Sequence, residues 1–155
     1  MGSLIAASIV ERARALVAEL ADLAPDDAIE AINAIKLALH EVSPLRDEPV
    51  DCVLWVRAEQ VEANDYNPNQ VAPPEMRLLH ISISEDGYTQ PIVAWPEGGG
   101  YTVVDGFHRH RVGRECADVR KRVLGYLPIT TIRPDRTDRP DRIASTIRHD
   151  RARGK

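Results

Sequence analysis

Hydrophobic residues recur every three or four positions over roughly the first forty residues, a spacing typical of amphipathic helices. The first stretch covers residues 4–24. The segment "APDD" then interrupts it with Pro25 and with Asp26 or Asp27 as the cap of a second helix. That second helix is predicted to end at about Val42. The apolar positions of the two helices are Ile5, Ile9, Ala13, Leu16, Leu20 and Leu23, followed by Ala28, Ile32, Ile35 and Leu39.

Two helices joined by a short loop form a helical hairpin, which we assign to residues 1–48. A hairpin cannot bury the whole apolar stripe of both helices by itself. Packing against the rest of the chain is the interpretation that we favour. Pairing with a partner protein, or a homodimer through the N-terminal helices, is the alternative. The segment "SPLRDEP" over residues 43–49 marks the boundary with the following domain.

Beyond this boundary the hydrophobic positions come in shorter runs, which predict strands alternating with helices. The segment over residues 62–74 is rich in Asn and Pro and predicts an irregular loop. The segment "RPDRTDRPDR" over residues 133–142 predicts an exposed, proline-broken linker. An α/β (α+β) domain over residues 49–155 is therefore expected. Its predicted strands are residues 51–57, 91–95, 101–104 and 126–132, and its predicted helices are residues 74–87, 108–118 and 143–153.

Composition restricts the class of protein further. With 155 residues, of which 43% are hydrophobic, the chain suits one compact domain with one appendage. No apolar run approaches the roughly 20 residues that cross a bilayer, and no basic residue precedes the first apolar stretch as in a signal peptide. Cys52 and Cys116 match neither a disulfide framework nor a zinc spacing. We therefore expect a cytoplasmic, reduced protein without membrane contact.

The net charge of −4 conceals an uneven distribution of charged residues. Residues 101–155 contain 14 Lys and Arg against 7 Asp and Glu, whereas residues 1–100 contain 6 against 17. A basic C-terminal third indicates an anionic partner such as a nucleotide or a nucleic acid. The alternative is that the two parts neutralise each other in the fold, and charge alone leaves both interpretations open.

The segment "VVDGFHRHRVGRE" (103–115) places a strand, an Asp-Gly turn and a basic helix start in direct succession. Gly106 permits a sharp strand-to-helix turn and a close approach of a ligand to the backbone. The first N–H groups of a helix are unpaired and carry partial positive charge, which suits an oxyanion. Arg109 can add a forked contact to phosphate oxygens. The segment therefore predicts a phosphate-binding turn.

Two other interpretations of this segment compete with a phosphate site. Zinc binding would require His108 and His110 to act together, but residues two apart on a helix point in different directions. A solvated basic helix face remains open for His110 and Arg114. It does not account for Gly106 followed by His108 and Arg109 at the turn.

Three separated segments resemble the N-terminal domain of the ParB/sulfiredoxin superfamily, and within it the IbrB-like branch of co-activators of prophage gene expression. They are "NDYNPNQVAPPEMRLLHISISEDGYTQPIVAW", "YTVVDGFHRHRVG" and "STIRHDRARG", in collinear order over roughly residues 50–155. The resemblance implies a small mixed-sheet ParB/sulfiredoxin-like domain that binds a nucleotide. It does not cover the hairpin at residues 1–42.

The resemblance also implies which residues form the site. The segment "DGYTQPIVAW" resembles the first ParB nucleotide box, and "RHDRAR" resembles the third. The segment "GFHRHR" stands where ParB proteins, sulfiredoxins and free-serine kinases hold nucleotide phosphates. The implied nucleotide-binding residues are Gly87, Thr89, Gln90, Pro91, Asp105, Gly106, Phe107, His108, Arg109, Arg111 and Arg153. The implied metal-facing residues are His149 and Asp150, and the candidate catalytic residues are Asp65, His108 and Arg109.

Departures from the family pattern limit the chemistry. Phe107 stands where sulfiredoxins have their cysteine, so sulfinic-acid reduction lacks its nucleophile. Phe107 also replaces a ParB glutamate, which argues against a CTP-dependent clamp. The carboxylate of the free-serine kinases would correspond to Asp65, with Glu62 and Glu75 as flanking alternatives. Because the chain stops at Lys155, we expect no helix-turn-helix of the partition-protein kind.

These features predict a protein that binds ATP, or alternatively CTP or ADP, together with Mg²⁺. We expect it to hydrolyse the nucleotide as a regulatory or accessory protein. The partner that family analogy implies is a protein similar to PAPS reductases or sulfurtransferases. Three alternatives remain open: a DNA-binding protein or ParB-like nuclease that uses the basic C-terminal segment, a small-molecule kinase of the free-serine type, and a non-catalytic transcriptional co-activator.

Overall fold

The computed structural model describes residues 2–65, 72–133 and 138–152, without the side chains of residues 2, 3, 139 and 150. Its strands are β1 (Leu54–Arg57), β2 (Val61–Glu62), β3 (Ile92–Glu97), β4 (Gly100–Asp105) and β5 (Tyr126–Thr131). They form one mixed sheet in the order β1-β5-β3-β4-β2. The pairs β1–β5 and β3–β4 are antiparallel, whereas β3–β5 and β2–β4 are parallel. The predicted α/β class with a small mixed sheet is therefore confirmed.

Six α-helices accompany this sheet in the described part of the chain. They are α1 (Gly2–Ala18), α2 (Pro25–Val42), α3 (Pro73–Asp86), α4 (Phe107–Glu115), α5 (Ala117–Arg122) and α6 (Arg139–Ala152). The end of α3 lies where the sequence predicts it, because Gly87 adopts a positive φ of 78° that a glycine tolerates without strain. Among the residues described, no helix is both long enough and apolar enough to cross a membrane.

The start of α2 differs from the prediction. Its N-cap is Ala24, and no side chain caps the helix there, so neither Asp26 nor Asp27 has the expected capping role. Pro25 instead begins the helix at its first position, where the missing N–H has no consequence. The carboxylate of Asp26 pairs with the guanidinium of Arg57 at 2.7 Å, so it binds α2 to β1.

Two further boundaries also differ from the prediction. The predicted helix over residues 108–118 is divided into α4 and α5, because the backbone is extended at Cys116. The helix predicted from residue 143 already begins at Arg139, within the predicted linker. Asp138 explains this early start, because its carboxylate accepts the backbone N–H of Asp141 at 2.8 Å and so caps the first turn.

The core lies on both sides of β5, since all but the last residue of this strand are buried. Such continuous burial is typical of a strand that is covered on both faces. The larger cluster consists of Val56, Ala58, Val61, Ile92, Ala94, Val103, Leu127 and Ile129. A smaller cluster beneath the helices consists of Ile83, Val112 and Val119. Each fully buried aliphatic side chain stabilises the fold by about 1.5–3 kcal/mol relative to an exposed one.

The two N-terminal helices differ in their contacts with this domain. The side-chain amide of Asn33 on α2 donates to the carbonyl O of Trp55 at 2.7 Å and accepts the Trp55 N–H at 3.0 Å. The Lys36 ammonium donates to the carbonyl O of Val53 at 3.0 Å. By contrast, every residue of α1 from Leu4 onwards is exposed. The packing within the chain that the sequence favours is therefore present for α2 only.

A polar cluster joins α3 to α5. The carboxylate of Asp118 accepts a hydrogen bond from the hydroxyl of Ser84 at 2.8 Å and pairs with His80 Nε2 at 2.8 Å. The hydrogen bond from Ser84, together with that from His80, lowers the pKa of Asp118 from 3.8 to about 2. The guanidinium of Arg122 donates to the carbonyl groups of Ile83 and Ser84, both at 2.6 Å, near the end of α3. The cluster therefore holds α3 in place next to α4 and α5.

The Asp118 cluster predicts a loss of stability in acid. Because the folded-state pKa lies below the unfolded value, the stabilising effect of Asp118 is present above about pH 4 and is lost as the pH falls towards 2. We expect the wild-type protein to melt at a higher temperature than Asp118→Asn near neutral pH and most of this difference to be lost at pH 2. Thermal melts by circular dichroism between pH 2 and 7 measure it.

Asp86→Asn is the matched control, because it removes an exposed carboxylate of α3 outside the cluster. Its melting temperature should follow that of the wild-type protein at each pH. A constant difference between wild type and Asp118→Asn down to pH 2 would contradict the assignment.

Candidate functional site

The strand-to-helix turn after β4 has the geometry that the sequence predicts. Gly106 lies between β4 and α4 with φ 93° and ψ 28°, a left-handed conformation that strongly favours glycine. A Cβ at this position would lie 3.1 Å from Nη2 of Arg109 and 3.3 Å from the Cα of Ile92. Both the backbone conformation and the close packing therefore require a glycine here.

The first turn of α4 presents backbone donors at this glycine. The carbonyl O of Gly106 accepts the N–H of His110 at 2.9 Å, which is the first hydrogen bond of the helix. The N–H groups of residues 107–109 precede that bond, at the end of the helix where the backbone dipole is positive. The N-cap residue is Gly106 itself, which has no side chain that could cap them. The positive end of the α4 dipole therefore lies at this turn, which suits an anion.

Arg109 connects the turn to the segment that precedes β3. Its guanidinium donates to the side-chain carbonyl of Gln90 at 3.0 Å and to the backbone carbonyl of Pro91 at 3.2 Å. It also lies 3.6 Å from the Asp105 carboxylate, at the end of β4. The Arg109 side chain is only 15% exposed. The structure therefore brings together two segments that lie far apart in the sequence and were assigned to one site.

Helix α6 reaches the same turn. The hydroxyl of Thr146 donates to the carbonyl O of Val104 at 2.8 Å, so the helix is seated on the end of β4. His149 lies one turn further along, with its Nδ1 atom 3.5 Å from Oδ2 of Asp105. His149 therefore belongs to the candidate site. The Asp150 side chain and the whole of Arg153 lie outside the described residues, so their predicted roles stay predictions.

Tyr88 is a part of the site that the sequence analysis did not identify. Its hydroxyl donates to the carbonyl O of Arg109 at 2.9 Å, within α4. Burial raises the pKa of this phenol to about 12, so the hydroxyl keeps its proton at physiological pH. The ring lies at right angles to that of Trp55, with 6.4 Å between the ring centres. Its place between Gly87 and Thr89, inside the first predicted segment, is the signal that could have identified it.

Several predicted residues lie at the edge of this arrangement or face away from it. Arg111 is exposed and pairs with Glu115 along the outer face of α4 at 2.9 Å. Thr89 is exposed, and Phe107 is half-buried against the larger core cluster. Their predicted contacts with a nucleotide stay predictions. The Phe107 side chain has a packing role in any case, because it covers the sheet beneath the turn.

Asp65 follows β2 at the same end of the sheet. The side-chain amide of Asn64 donates to the carbonyl O of Val103 at 2.9 Å, and the parallel register continues from there towards the end of β4. Asp65 is exposed. Because β2 and β4 are parallel, Asp65 follows β2 at the end of the sheet where Gly106 follows β4. Residues 66–71 lie outside the described part of the chain.

His110 is not the solvated helix residue that the sequence left open. It is 5% exposed, and its Nε2 atom lies 2.9 Å from the carbonyl O of Val61. Burial lowers its pKa, so the ring is neutral at physiological pH and donates to this carbonyl. His110 therefore binds α4 to β2, where it has a structural role.

Part of the basic C-terminal third is neutralised within the fold. Three of its arginines contact carboxylates from the acidic part of the chain at 2.6–3.9 Å. Such partly exposed pairs stabilise the fold only weakly. They nevertheless reduce the positive potential available to a polyanion, which favours the neutralisation interpretation for these residues. The pairs are Arg120 with Glu59, Arg114 with Glu62 and Arg142 with Glu97.

Sequence comparison finds a relative of this chain. No protein-family model matches the chain. The chain is 54% identical over 137 residues to the uncharacterized protein YbdM of Escherichia coli (strain K12), a match that covers 88% of this chain and 64% of YbdM. The chain therefore spans less than two thirds of the length of this curated relative.

Two solved structures have a related architecture. One is the C-terminally truncated chromosome-partitioning protein ParB of Caulobacter crescentus complexed with CTP-γ-S, with a TM-score of 0.51 and 22% identity. This match covers 63% of this chain and 52% of that chain. The other is sulfiredoxin of Arabidopsis thaliana, with a TM-score of 0.42 and 17% identity over 52% of this chain and 84% of that chain. The likeness to ParB shows that the chain has a ParB-like fold.

Proposed function

We propose that this protein binds a nucleoside triphosphate at the turn between β4 and α4. The observation that carries the proposal is the position of Arg109, which joins Gln90 and Pro91 to Asp105 beneath the Gly106 turn. Residues 49–155 form the nucleotide-binding domain in this proposal, and residues 1–48 form an N-terminal appendage. The proposal includes membership of the IbrB-like branch, which the three sequence segments support.

The chemistry of the turn suits a chain of phosphates. Phosphate oxygens accept hydrogen bonds from the first N–H groups of α4, and the helix dipole adds favourable charge at that point. The guanidinium of Arg109 lies directly beneath the same turn, where it can bind a second set of phosphate oxygens. The similar fold of ParB, which was crystallised with CTP-γ-S, supports a triphosphate rather than an inorganic anion.

ATP hydrolysis is the reaction that we propose. The attack of water on the terminal phosphorus breaks its bond to the bridging oxygen and releases ADP, phosphate and a proton. In such reactions the protein acts mainly through positioning and charge neutralisation. Arg109 and the N–H groups of α4 would stabilise the charge on the phosphate oxygens. His108, at the second position of the helix, and Asp65 are the candidate groups for orienting the water and accepting its proton.

His149, the predicted metal-facing residue whose side chain is described, fits the predicted Mg²⁺ ion poorly. Mg²⁺ prefers oxygen ligands in octahedral geometry, whereas His149 offers a nitrogen atom, and its ring lies against Asp105. The described residues contain no group of three or more His, Cys, Asp and Glu side chains that could hold a metal ion. His149 is therefore better assigned to the positioning of Asp105 than to metal binding.

A regulatory role completes the proposal. In it, the nucleotide state controls the contact with a partner protein, for which the family resemblance favours a protein of the PAPS-reductase or sulfurtransferase type. A role at DNA receives less support, because several arginines of the basic part already pair with carboxylates of this chain.

A nucleotide panel tests the proposed function. Isothermal titration calorimetry of the full chain with ATP, ADP, CTP and GTP, each with and without Mg²⁺, should detect binding of at least one triphosphate. Phosphate release is then measured for every nucleotide that binds. Absence of binding by any triphosphate under both conditions would exclude the proposal. Binding without phosphate release would retain the site and remove the hydrolysis step.

A further inference from the structure

The exposed apolar surface of α1 is a feature that the proposed function does not use. Each described side chain from Leu4 to Glu19 is exposed, and Leu16 is 67% exposed. A helix whose apolar residues remain in water along its whole length is unusual for a monomer and indicates an interaction surface. The large hydrophobic residues of this surface are Leu4, Ile5, Ile9, Val10, Leu16 and Val17.

The order of residues along α1 defines the kind of partner that fits. Ala6 and Ala13 lie seven residues apart on one side of the apolar stripe, and Ile9 and Leu16 lie seven apart on the other side. A repeat of seven residues is typical of helices that pair along their length. Alternation of small and large residues permits two such helices to approach closely when each alanine faces a large side chain.

We infer that α1 pairs in antiparallel orientation with α1 of a second copy of this chain, about a twofold axis between Arg14 and Ala15. In this register Ala13 faces Leu16 of the second copy. Ile9 faces the partly exposed Leu20 of the second copy, in the 3-10 turn (Glu19–Asp22) that continues α1. Each contact occurs twice because the interface is the same on both subunits. The helix pair therefore gains four apolar layers, and the two layers nearest the axis each combine an alanine with a leucine.

The charges beside the stripe agree with this register. Arg12 of α1 lies seven residues before Glu19, which is the first residue of the 3-10 turn (Glu19–Asp22) that continues α1. The antiparallel arrangement places Arg12 opposite Glu19 of the second copy, so two pairs of opposite charge form. On the other flank, Val10 lies opposite Val17, which extends the apolar contact. A parallel arrangement would instead place Arg12 opposite an uncharged residue, Val17.

The charged residues on the face of α1 opposite the apolar stripe can be compared with those beside the stripe. Glu11 and Arg14 lie there, and they pair with each other within one helix at 3.7 Å. Both side chains are more than 70% exposed. These charges take no part in the inferred interface, although they are similar in type and position to those that do.

Sedimentation velocity of the full chain between about 2 and 200 µM tests whether the dimer exists. We expect the wild-type protein to be dimeric at the upper concentrations and Leu16→Glu to remain monomeric throughout. Because Leu16 makes no contact within the chain that would bury it, Leu16→Glu should retain the wild-type melting temperature. A monomeric wild-type protein at 200 µM, or a dimer that Leu16→Glu leaves unchanged, would overturn the inference.

Charge exchange tests the register. Arg12→Glu should weaken the dimer about tenfold, because it creates two repulsive pairs with Glu19, and Arg12→Glu combined with Glu19→Arg should restore it. Arg14→Glu, the matched control on the opposite face, should leave the dimer unchanged. If Arg12→Glu and Arg14→Glu have the same effect, the antiparallel register is wrong. None of these variants changes the Gly106 turn, so nucleotide titrations of the same proteins report separately on the proposed function.

Discussion

Replacing Arg109 with alanine is expected to reduce the affinity for nucleoside triphosphate about 100-fold or more. A hydrogen bond to a charged group contributes about 1.5–3 kcal/mol, and a forked guanidinium contact makes two of them. A loss of about 3 kcal/mol corresponds to a factor of about 100 in the dissociation constant. The variant also loses the contact between Gln90 and the turn, which disorganises the rest of the site. Isothermal titration calorimetry with the nucleotide that the wild-type protein binds measures the effect.

Two further variants separate binding from folding. Arg109→Ala leaves the buried carboxylate of Asp105 without the positive charge 3.6 Å away, so the variant is also less stable. Arg109→Lys keeps a charge beside Asp105 but loses the fork, and we expect at least a tenfold loss of affinity with a fold that is retained. Arg114→Ala, which removes an arginine from the outer part of the same helix, should bind as the wild type does. Wild-type affinity in a folded Arg109 variant would show that the phosphates bind elsewhere.

Gly113→Ala is expected to destabilise the fold by about 2 kcal/mol, because it overfills a closely packed contact. A Cβ at position 113 would overlap the hydroxyl of Tyr88 and the Cδ2 atom of Leu127. Relief requires Tyr88 to move, and Tyr88 is the residue that donates to the carbonyl O of Arg109. In a protein of this size the loss corresponds to a fall of about 6 °C in melting temperature. Urea denaturation monitored by circular dichroism measures the free energy of unfolding.

A double-mutant cycle identifies the cause of this loss. Tyr88→Phe removes the hydroxyl and should cost about 1 kcal/mol, since one hydrogen bond is lost. In the Tyr88→Phe background the added methyl group of Gly113→Ala no longer meets the oxygen atom, so the double variant should lose clearly less than the sum of the two single changes. Additive losses would mean that the clash with Leu127, rather than the approach of Tyr88, determines the need for a glycine.

The sequence alone predicts those parts of the fold that depend on neighbouring residues. The end of α3 at Gly87 and the turn at Gly106 follow from the conformational freedom of glycine, and both are found at the expected positions. The four predicted strands are found, because their hydrophobic runs are short and separated by turn residues, whereas β2 was missed because two residues make no pattern. Helix boundaries were less accurate where one side chain decides them, as the cap at Asp138 shows.

Contacts between distant residues lie beyond such reasoning. The hydrogen bond from Tyr88 to Arg109 spans 21 positions, and neither residue type indicates which residue it will contact. Arg142 was assigned to an exposed linker, yet it is buried over Trp95, with 5.6 Å between its guanidinium and the ring centre. The resemblance to a known superfamily supplied the link between the segments at Gln90 and Gly106 that periodicity could not. The position of Arg109 between them is a property of the folded chain.

The contacts between α2 and β1 affect whether the edge of the sheet can pair with another molecule. Strand β1 is the outermost strand of the sheet, so its outward backbone groups could serve as a template for a strand of another molecule. The amide of Asn33 occupies both the N–H and the carbonyl O of Trp55, and Lys36 occupies the carbonyl O of Val53. These side chains thus occupy backbone groups that would otherwise pair with a sixth strand from another molecule. The helix protects the protein against aggregation along its open edge, a role that is independent of any ligand.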